Sequence, residues 1–192
     1  MIAASATWLA RNLGNFLSVN SPAGAPLLVV EGWMPGYVYR EAAARFRQGG
    51  YQKIIAAGVA RDDADDAPDA RTDFGVDDLV KAGVPRDRIE LATASAKQLD
   101  RTFHSAEAVK HVLLDQGMRS GAVDVLTVGP HARRSRLLYE DALGDGFVVG
   151  IIALDDRRFD IQHWWRTSEG VRRVVDETVA YLYARLFFSP SH

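Results

Sequence analysis

A helix that opens on positive charge runs against electrostatics, and one stretch of this chain does so. Gly129-Pro130-His131-Ala132-Arg133-Arg134-Ser135-Arg136 follows an apolar run and begins a helically periodic segment. A helix N-terminus presents unpaired N–H groups and partial positive charge, so each cation placed there costs about 0.3–1 kcal/mol. The arrangement is rational where an anion sits between helix N–H groups and guanidinium forks. His131, Arg133 and Arg134 are therefore candidate anion ligands, with Gly129 in the turn before them. The alternative is that both arginines lean into solvent or pair with acidic loops. Arg136 has an ordinary partner in Glu140, four residues on.

Asp100-Arg101-Thr102-Phe103-His104-Ser105 repeats the pattern at another helix start. Arg101 is a further candidate anion ligand; Thr102 is either a ligand or an N-cap. Glu31 stands directly after the apolar run Leu27-Leu28-Val29-Val30, where a carboxylate can act as general base or hydroxyl acceptor, or else pair with one of the arginines. Gly32 and Trp33 follow it, and Trp33 either stacks on a planar ligand or simply packs. Trp164-Trp165 is read as the anchor of the last helix.

Several chemistries are set aside. No G-x-G-x-x-G, P-loop or G-x-S-x-G elbow follows a strand, and the five histidines include no H-E-x-x-H pair. The absence of cysteine excludes disulfides, thiol catalysis and cysteine-bound zinc. A formal net charge of -2 gives no global basic surface, so no nucleic-acid partner is expected. Between Arg61 and Asp78 eight aspartates stand against two arginines; without the glycine and terminal glutamate of a calcium loop, this reads as a solvated polar loop, not a metal site.

The elements that must position these residues alternate. Strands are expected at Leu27–Val30, Lys53–Gly58, Ile89–Ala92, Asp124–Gly129 and Phe147–Leu154, with helices at Val38–Gln48, Asp73–Lys81, Thr102–Gln116, His131–Leu143 and Ser168–Phe187. In the last helix Val171, Val174, Val175, Val179, Leu182 and Leu186 are expected to cover the sheet. Strands each followed by a helix imply a parallel sheet with right-handed crossovers. The expected fold is thus a three-layer α/β/α Rossmann-like domain with a five-stranded, mainly parallel sheet in the order 3-2-1-4-5. Ligands bind such sheets outside the carboxyl ends of the strands, at the switch in strand order. Glu31-Gly32-Trp33 and Gly129-Pro130-His131 would face each other there. Residues 1–20 read as an amphipathic helix and 21–192 as one α/β domain, joined through the linker-like Ser21-Pro22-Ala23-Gly24-Ala25-Pro26. With no basic n-region or span of ~20 apolar residues, a cytoplasmic chain is expected. The first helix either packs on the domain or makes a peripheral membrane contact.

Four segments together carry a family resemblance: Leu28-Val29-Val30-Glu31-Gly32-Trp33, Arg101-Thr102-Phe103-His104-Ser105-Ala106, Thr127-Val128-Gly129-Pro130-His131-Ala132-Arg133-Arg134-Ser135-Arg136 and Trp164-Trp165-Arg166-Thr167-Ser168-Glu169-Gly170-Val171-Arg172. From about Pro26 to Phe188 the chain resembles the SanA/ElyC/YdcF group of bacterial envelope-associated domains. The resemblance implies a Rossmann-like fold and a polar pocket formed by Glu31-Gly32, Arg101-Thr102 and the His131/Arg133 loop. It further implies a link to phosphorylated or lipid-linked envelope precursors, without a defined reaction. Where that group has a Gly-Gly turn after the second strand, this chain has Ala57-Gly58-Val59-Ala60, so Gly58 is the residue in that place.

The function expected from these residues is binding of a phosphorylated small molecule, with Arg101, Arg133, Arg134 and His131 on the anion and Glu31 placing a hydroxyl or water. Hydrolysis or transfer at phosphate is the chemistry such a site suits. The rival expectation is a non-catalytic module for a nucleotide-like ligand such as S-adenosylmethionine, with Trp33 on the adenine, or for a protein partner. No cofactor is specified by the sequence.

Overall fold

The computed structural model describes residues 2–59, 75–95 and 100–189, with side chains from Trp8 onward. Among these residues the short apolar runs become β1 (Leu27–Glu31), β2 (Lys53–Val59), β3 (Ile89–Ala94), β4 (Gly121–Val128) and β5 (Phe147–Leu154). All pair in parallel, in the order β3-β2-β1-β4-β5. Every residue of β1 is buried, as a central strand covered on both faces requires. Alternation then sorts the side chains. Leu27, Val29, Ile55, Val125 and Ile151 face α4 (Arg101–Asp115) and α5 (Ala132–Leu143), while Leu28, Val30, Ile54, Leu126 and Ile152 face α2 (Gly36–Arg47) and α3 (Val76–Lys81). The three-layer Rossmann-like expectation holds. The acidic stretch and its calcium question lie mostly outside the described residues, and among the described ones no cluster of ligands suits a metal.

The linker-like segment is part of the domain. Ser21 pairs with Ile151 in an antiparallel bridge that covers the free edge of β5. Ala23 and Ala25 donate their N–H groups to the buried carboxylate of Asp124 at 2.6 and 3.1 Å, and the Tyr51 hydroxyl donates to the same carboxylate at 3.0 Å.

The first helix, α1 (Ile2–Leu17), packs on the domain instead of standing apart. Leu17 shares a cluster with Trp164 and with Val174 of α6 (Ser168–Leu186), and the Trp164 indole donates to the Ala10 carbonyl at 2.9 Å. Trp164 thus anchors α1 and α6 together. Trp164→Phe is expected to cost about 1 kcal/mol, the worth of one such hydrogen bond, and to expose α1 to trypsin at Arg11; unchanged cleavage would show that the indole is not the anchor. No helix among the described residues is long and apolar enough to cross a membrane.

The last helix departs from expectation. Val171, Val175, Val179, Leu182 and Leu186 point outward, and α6 instead packs through Gly170, Val174 and Ala184. The reason is steric at its start: a Cβ on Gly170 would lie 2.2 Å from the Trp164 carbonyl oxygen, so only the small-residue face can approach.

Candidate functional site

The strand order reverses between β1 and β4, and the polar residues collect at their carboxyl ends. Glu31, the last residue of β1, is 1% exposed. Its two oxygens accept hydrogen bonds from Thr127 Oγ1 on β4 (2.7 Å) and Ser135 Oγ on α5 (3.0 Å). Gly129-Pro130-His131 forms a 3-10 turn between β4 and α5, and Gly129 takes a φ of 52°, the left-handed region that glycine enters without strain. That turn brings the His131 ring inside, with Nε2 3.5 Å from Glu31 Oε2 and with no hydrogen-bond partner for Nε2 among the described residues.

On its other side His131 Nδ1 meets Glu177 Oε1 of α6 at 2.8 Å. Arg134 Nε reaches Glu177 Oε2 at 2.8 Å and Nη2 reaches Oε1 at 3.0 Å, while Nη1 donates to Thr102 Oγ1 at 3.3 Å. Arg134 Nη2 and His131 Nδ1 also stand 2.9 Å apart, both within hydrogen-bond distance of Glu177 Oε1. Two carboxylates and two cations therefore form one buried, balanced array: Glu31, His131, Glu177, Arg134.

Electrostatics follow from that array. Burial opposes charge on His131, but the Glu31 charge and the hydrogen bond to Glu177 outweigh it and raise the imidazole from 6.5 to about 9. Burial would raise Glu31; the His131 charge 3.5 Å away, with the bonds from Thr127 and Ser135, holds it below its ordinary value. Burial works against Glu177 as well, and His131 and Arg134 bring it down to about 2. Tyr139, buried in α5 with no partner for its hydroxyl among the described residues, is pushed well up by burial and by the Glu31 charge, and stays a neutral phenol.

Over this array lies a small, open depression walled by Trp33, Pro35, Pro130 and His131 and completed by Glu177, Asp156, Arg158 and Arg173. Trp33 is 52% exposed and meets the His131 ring edge-on at 4.9 Å. Arg158 binds Asp156 through Nε (2.8 Å) and Nη2 (2.5 Å) and reaches Glu169 at 3.2 Å, while Arg173 reaches Glu169 at 3.3 Å. Burial raises the Asp156 carboxyl, but Arg158 overcomes this and keeps it low. The charges are layered. Side-chain exposure is 43% for Arg158 and 40% for Arg173, but 5% for Asp156, 13% for Glu177 and 2% for Glu31. Within the lining the guanidiniums and the indole are thus more exposed than the carboxylates, while Glu169, the shared partner of both arginines, is 33% exposed and lies outside it.

The structure brings together Glu31, Trp33, Thr102, Gly129, His131 and Arg134, and gives the others different places. Arg133 is not in the site: its Nε donates to the Phe16 carbonyl and its guanidinium lies 3.8 Å over the Phe16 ring, clamping α1. Consecutive helix residues diverge by about 100°, so Arg133 and Arg134 cannot share one target. Arg101 is exposed and forms no ion pair among the described residues. Thr102 lies inside α4, whose N-cap is Asp100, so it is a partner of Arg134 and not a cap. Gly58 sits within β2 opposite Thr93, away from the depression. Gly32 serves the backbone, donating to Ala57 and accepting from the Tyr39 hydroxyl. Glu31 is almost fully buried, with one oxygen accepting from Thr127, the other from Ser135, and His131 beside them. Sequence reasoning missed Glu177, Asp156, Arg158 and Arg173. Asp156 and Arg158 were within reach, since they follow β5 at the same carboxyl edge.

Comparison with family models, with curated proteins and with solved structures finds no match to this chain.

Proposed function

We propose that this domain binds a phosphorylated small molecule at the β1/β4 carboxyl edge, its anionic group against Arg158 and Arg173 and its less polar part against Trp33. The layering of charge within the depression carries the reading: the Arg158 and Arg173 guanidiniums are more exposed than the two carboxylates that line it with them, Asp156 and Glu177, while their shared partner Glu169 stands outside the lining. The balanced array beneath keeps His131 an imidazolium whose charge Glu31 and Glu177 offset, so the anion is met by Arg158 and Arg173. The residues that carry the resemblance to the SanA/ElyC/YdcF group support it too, since Glu31, Thr102, His131 and Arg134 come from three distant motifs and join one array. The chemistry such a site supplies is charge stabilisation at phosphate. Both His131 nitrogens and the Ser135 hydroxyl are directed into the array, an arrangement that favours binding over nucleophilic catalysis.

Thermal melting with phosphate, sugar phosphates, nucleotides, isoprenyl phosphates and S-adenosylmethionine tests this. A ligand at a hundredfold excess over its Kd adds about 2.7 kcal/mol, a rise of roughly 5–10 °C for this size. The rise is expected with a phosphorylated ligand in wild type and in Arg133→Ala, and is lost when Arg158 and Arg173 are both replaced by alanine. A rise that survives the double replacement, or one produced only by S-adenosylmethionine, contradicts the proposal. Release of inorganic phosphate from the stabilising ligand then separates hydrolysis from binding alone.

A further inference from the structure

The outward row on α6 is a built surface. Val171, Val175, Val179, Leu182 and Leu186 are four, four, three and four residues apart, so they form one stripe along the helix. Their exposures are 38, 47, 63, 47 and 66%, and Tyr183 and Phe187 widen the stripe at its C-terminal end. The opposite side of α6 is the one that packs on the domain and delivers Glu177 and Arg173 to the site. Taken as fractions of whole side-chain surfaces, these seven residues leave on the order of 700 Å² of apolar surface, above the ~300–600 Å² of the largest patch on an ordinary monomer.

We propose that a second copy of this chain covers this face, the two α6 helices packing antiparallel about a two-fold axis. Area points to this occupant: a stable interface buries about 800 Å² on each partner, and the row together with Tyr183 and Phe187 supplies most of that. The row is also self-complementary in one direction. Its N-terminal half is valine and its C-terminal half leucine, so antiparallel packing sets the narrow half of each helix against the broad half of the other, and a two-fold contact must be self-complementary in this way. The exposed charges at its margins, Arg172, Asp176 and Arg185, are of mixed sign, whereas a membrane-surface helix carries a basic polar face. Pairing would also hold in place the helix that brings Glu177 and Arg173 to the site.

Light scattering after size-exclusion chromatography of the full chain tests the pairing. Wild type is expected at twice the 21.1 kDa chain mass. Val179→Glu and Leu182→Glu, both at exposed positions, are expected to keep the wild-type circular dichroism spectrum and to weaken dimerisation at least a hundredfold. The chain contains no cysteine, so Val179→Cys is expected to give an oxidised, cross-linked dimer while Asp87→Cys does not. A wild type that stays monomeric at the highest concentration reached, or a dimer unmoved by either glutamate, overturns the proposal. So does a monomeric wild type that sediments with vesicles of anionic phospholipid, which assigns the row to a membrane surface.

Discussion

Glu31→Ala is expected to cost about 3–5 kcal/mol of folding stability at pH 7, the penalty for leaving a buried charge without its partner. The deleted carboxylate is an acceptor for Thr127 and Ser135 and the nearer counter-charge to His131 Nε2. At this chain length that loss lowers Tm by roughly 10 °C. Glu31→Gln separates charge from shape, because it removes the charge but keeps an acceptor oxygen for one of the two hydroxyls, and the other can turn to accept from the amide NH2. It is expected to be destabilised less than Glu31→Ala and to draw the imidazole back toward its ordinary range. The sign of the pH dependence follows from the shifts. His131 is raised from 6.5 to about 9, so its contribution is complete below about pH 6.5 and is lost as pH rises through 9. Glu177 is lowered from 4.5 to about 2, so its contribution is present above about pH 4.5 and is lost as pH falls through 2. The two shifts describe one coupled array and are not to be added. Urea unfolding is therefore expected to show a stability plateau between about pH 4.5 and 6.5 and an alkaline decline that shrinks in Glu31→Gln. An alkaline decline of equal size in wild type and Glu31→Gln would contradict the assignment.

Gly150→Ala is expected to be comparably damaging for a purely spatial reason. Gly150 lies in β5 directly opposite Asp124 of β4, and the Asp124 carboxylate crosses over it to reach the Ala23 N–H. A Cβ at residue 150 would fall 1.9 Å from Asp124 Oδ1 and 2.3 Å from the Ala23 nitrogen. Neither can yield without breaking the bonds that Asp124 accepts from Ala23, Ala25 and Tyr51. Each buried group left unsatisfied costs about 1–3 kcal/mol, so a loss of more than about 3 kcal/mol is expected. Denaturant unfolding reads it. A loss under about 1 kcal/mol would mean that the 21–26 segment moves aside freely, and that it is a linker after all.

The fold was legible because its signals are local. Five apolar runs, each followed by a helical period, leave few topologies once parallel pairing and right-handed crossovers are required, and β1 to β5 lie where those runs stand. The site was legible where a residue broke a local rule. Glu31 after an apolar run and the cations at the opening of α5 gave themselves away, and Glu31, His131 and Arg134 belong to the array. What was lost depended on partners distant in sequence. Glu177 looks like a surface residue of α6, 46 positions after His131. The weak signal for it is that Val174, Glu177 and Ala184 share one helix face, which becomes the packed face only because Gly170 must clear the Trp164 carbonyl. The same misreading put the valine and leucine row inside, since that row is the most apolar side of the helix. Arg133 was misplaced for a simpler reason: neighbours on a helix point in different directions, and its target, the end of α1, lies 117 residues away.

The central claim is that His131 is a buried cation held between Glu31 and Glu177, beneath a depression whose most exposed charged lining groups are Arg158 and Arg173. The most direct measurement is a pH titration of the His131 ring nitrogens by nuclear magnetic resonance, assigned by difference from His131→Asn. The account predicts both nitrogens protonated at pH 7 and a midpoint near 9. A ring already neutral at pH 7, with a midpoint at or below 6.5, would contradict it.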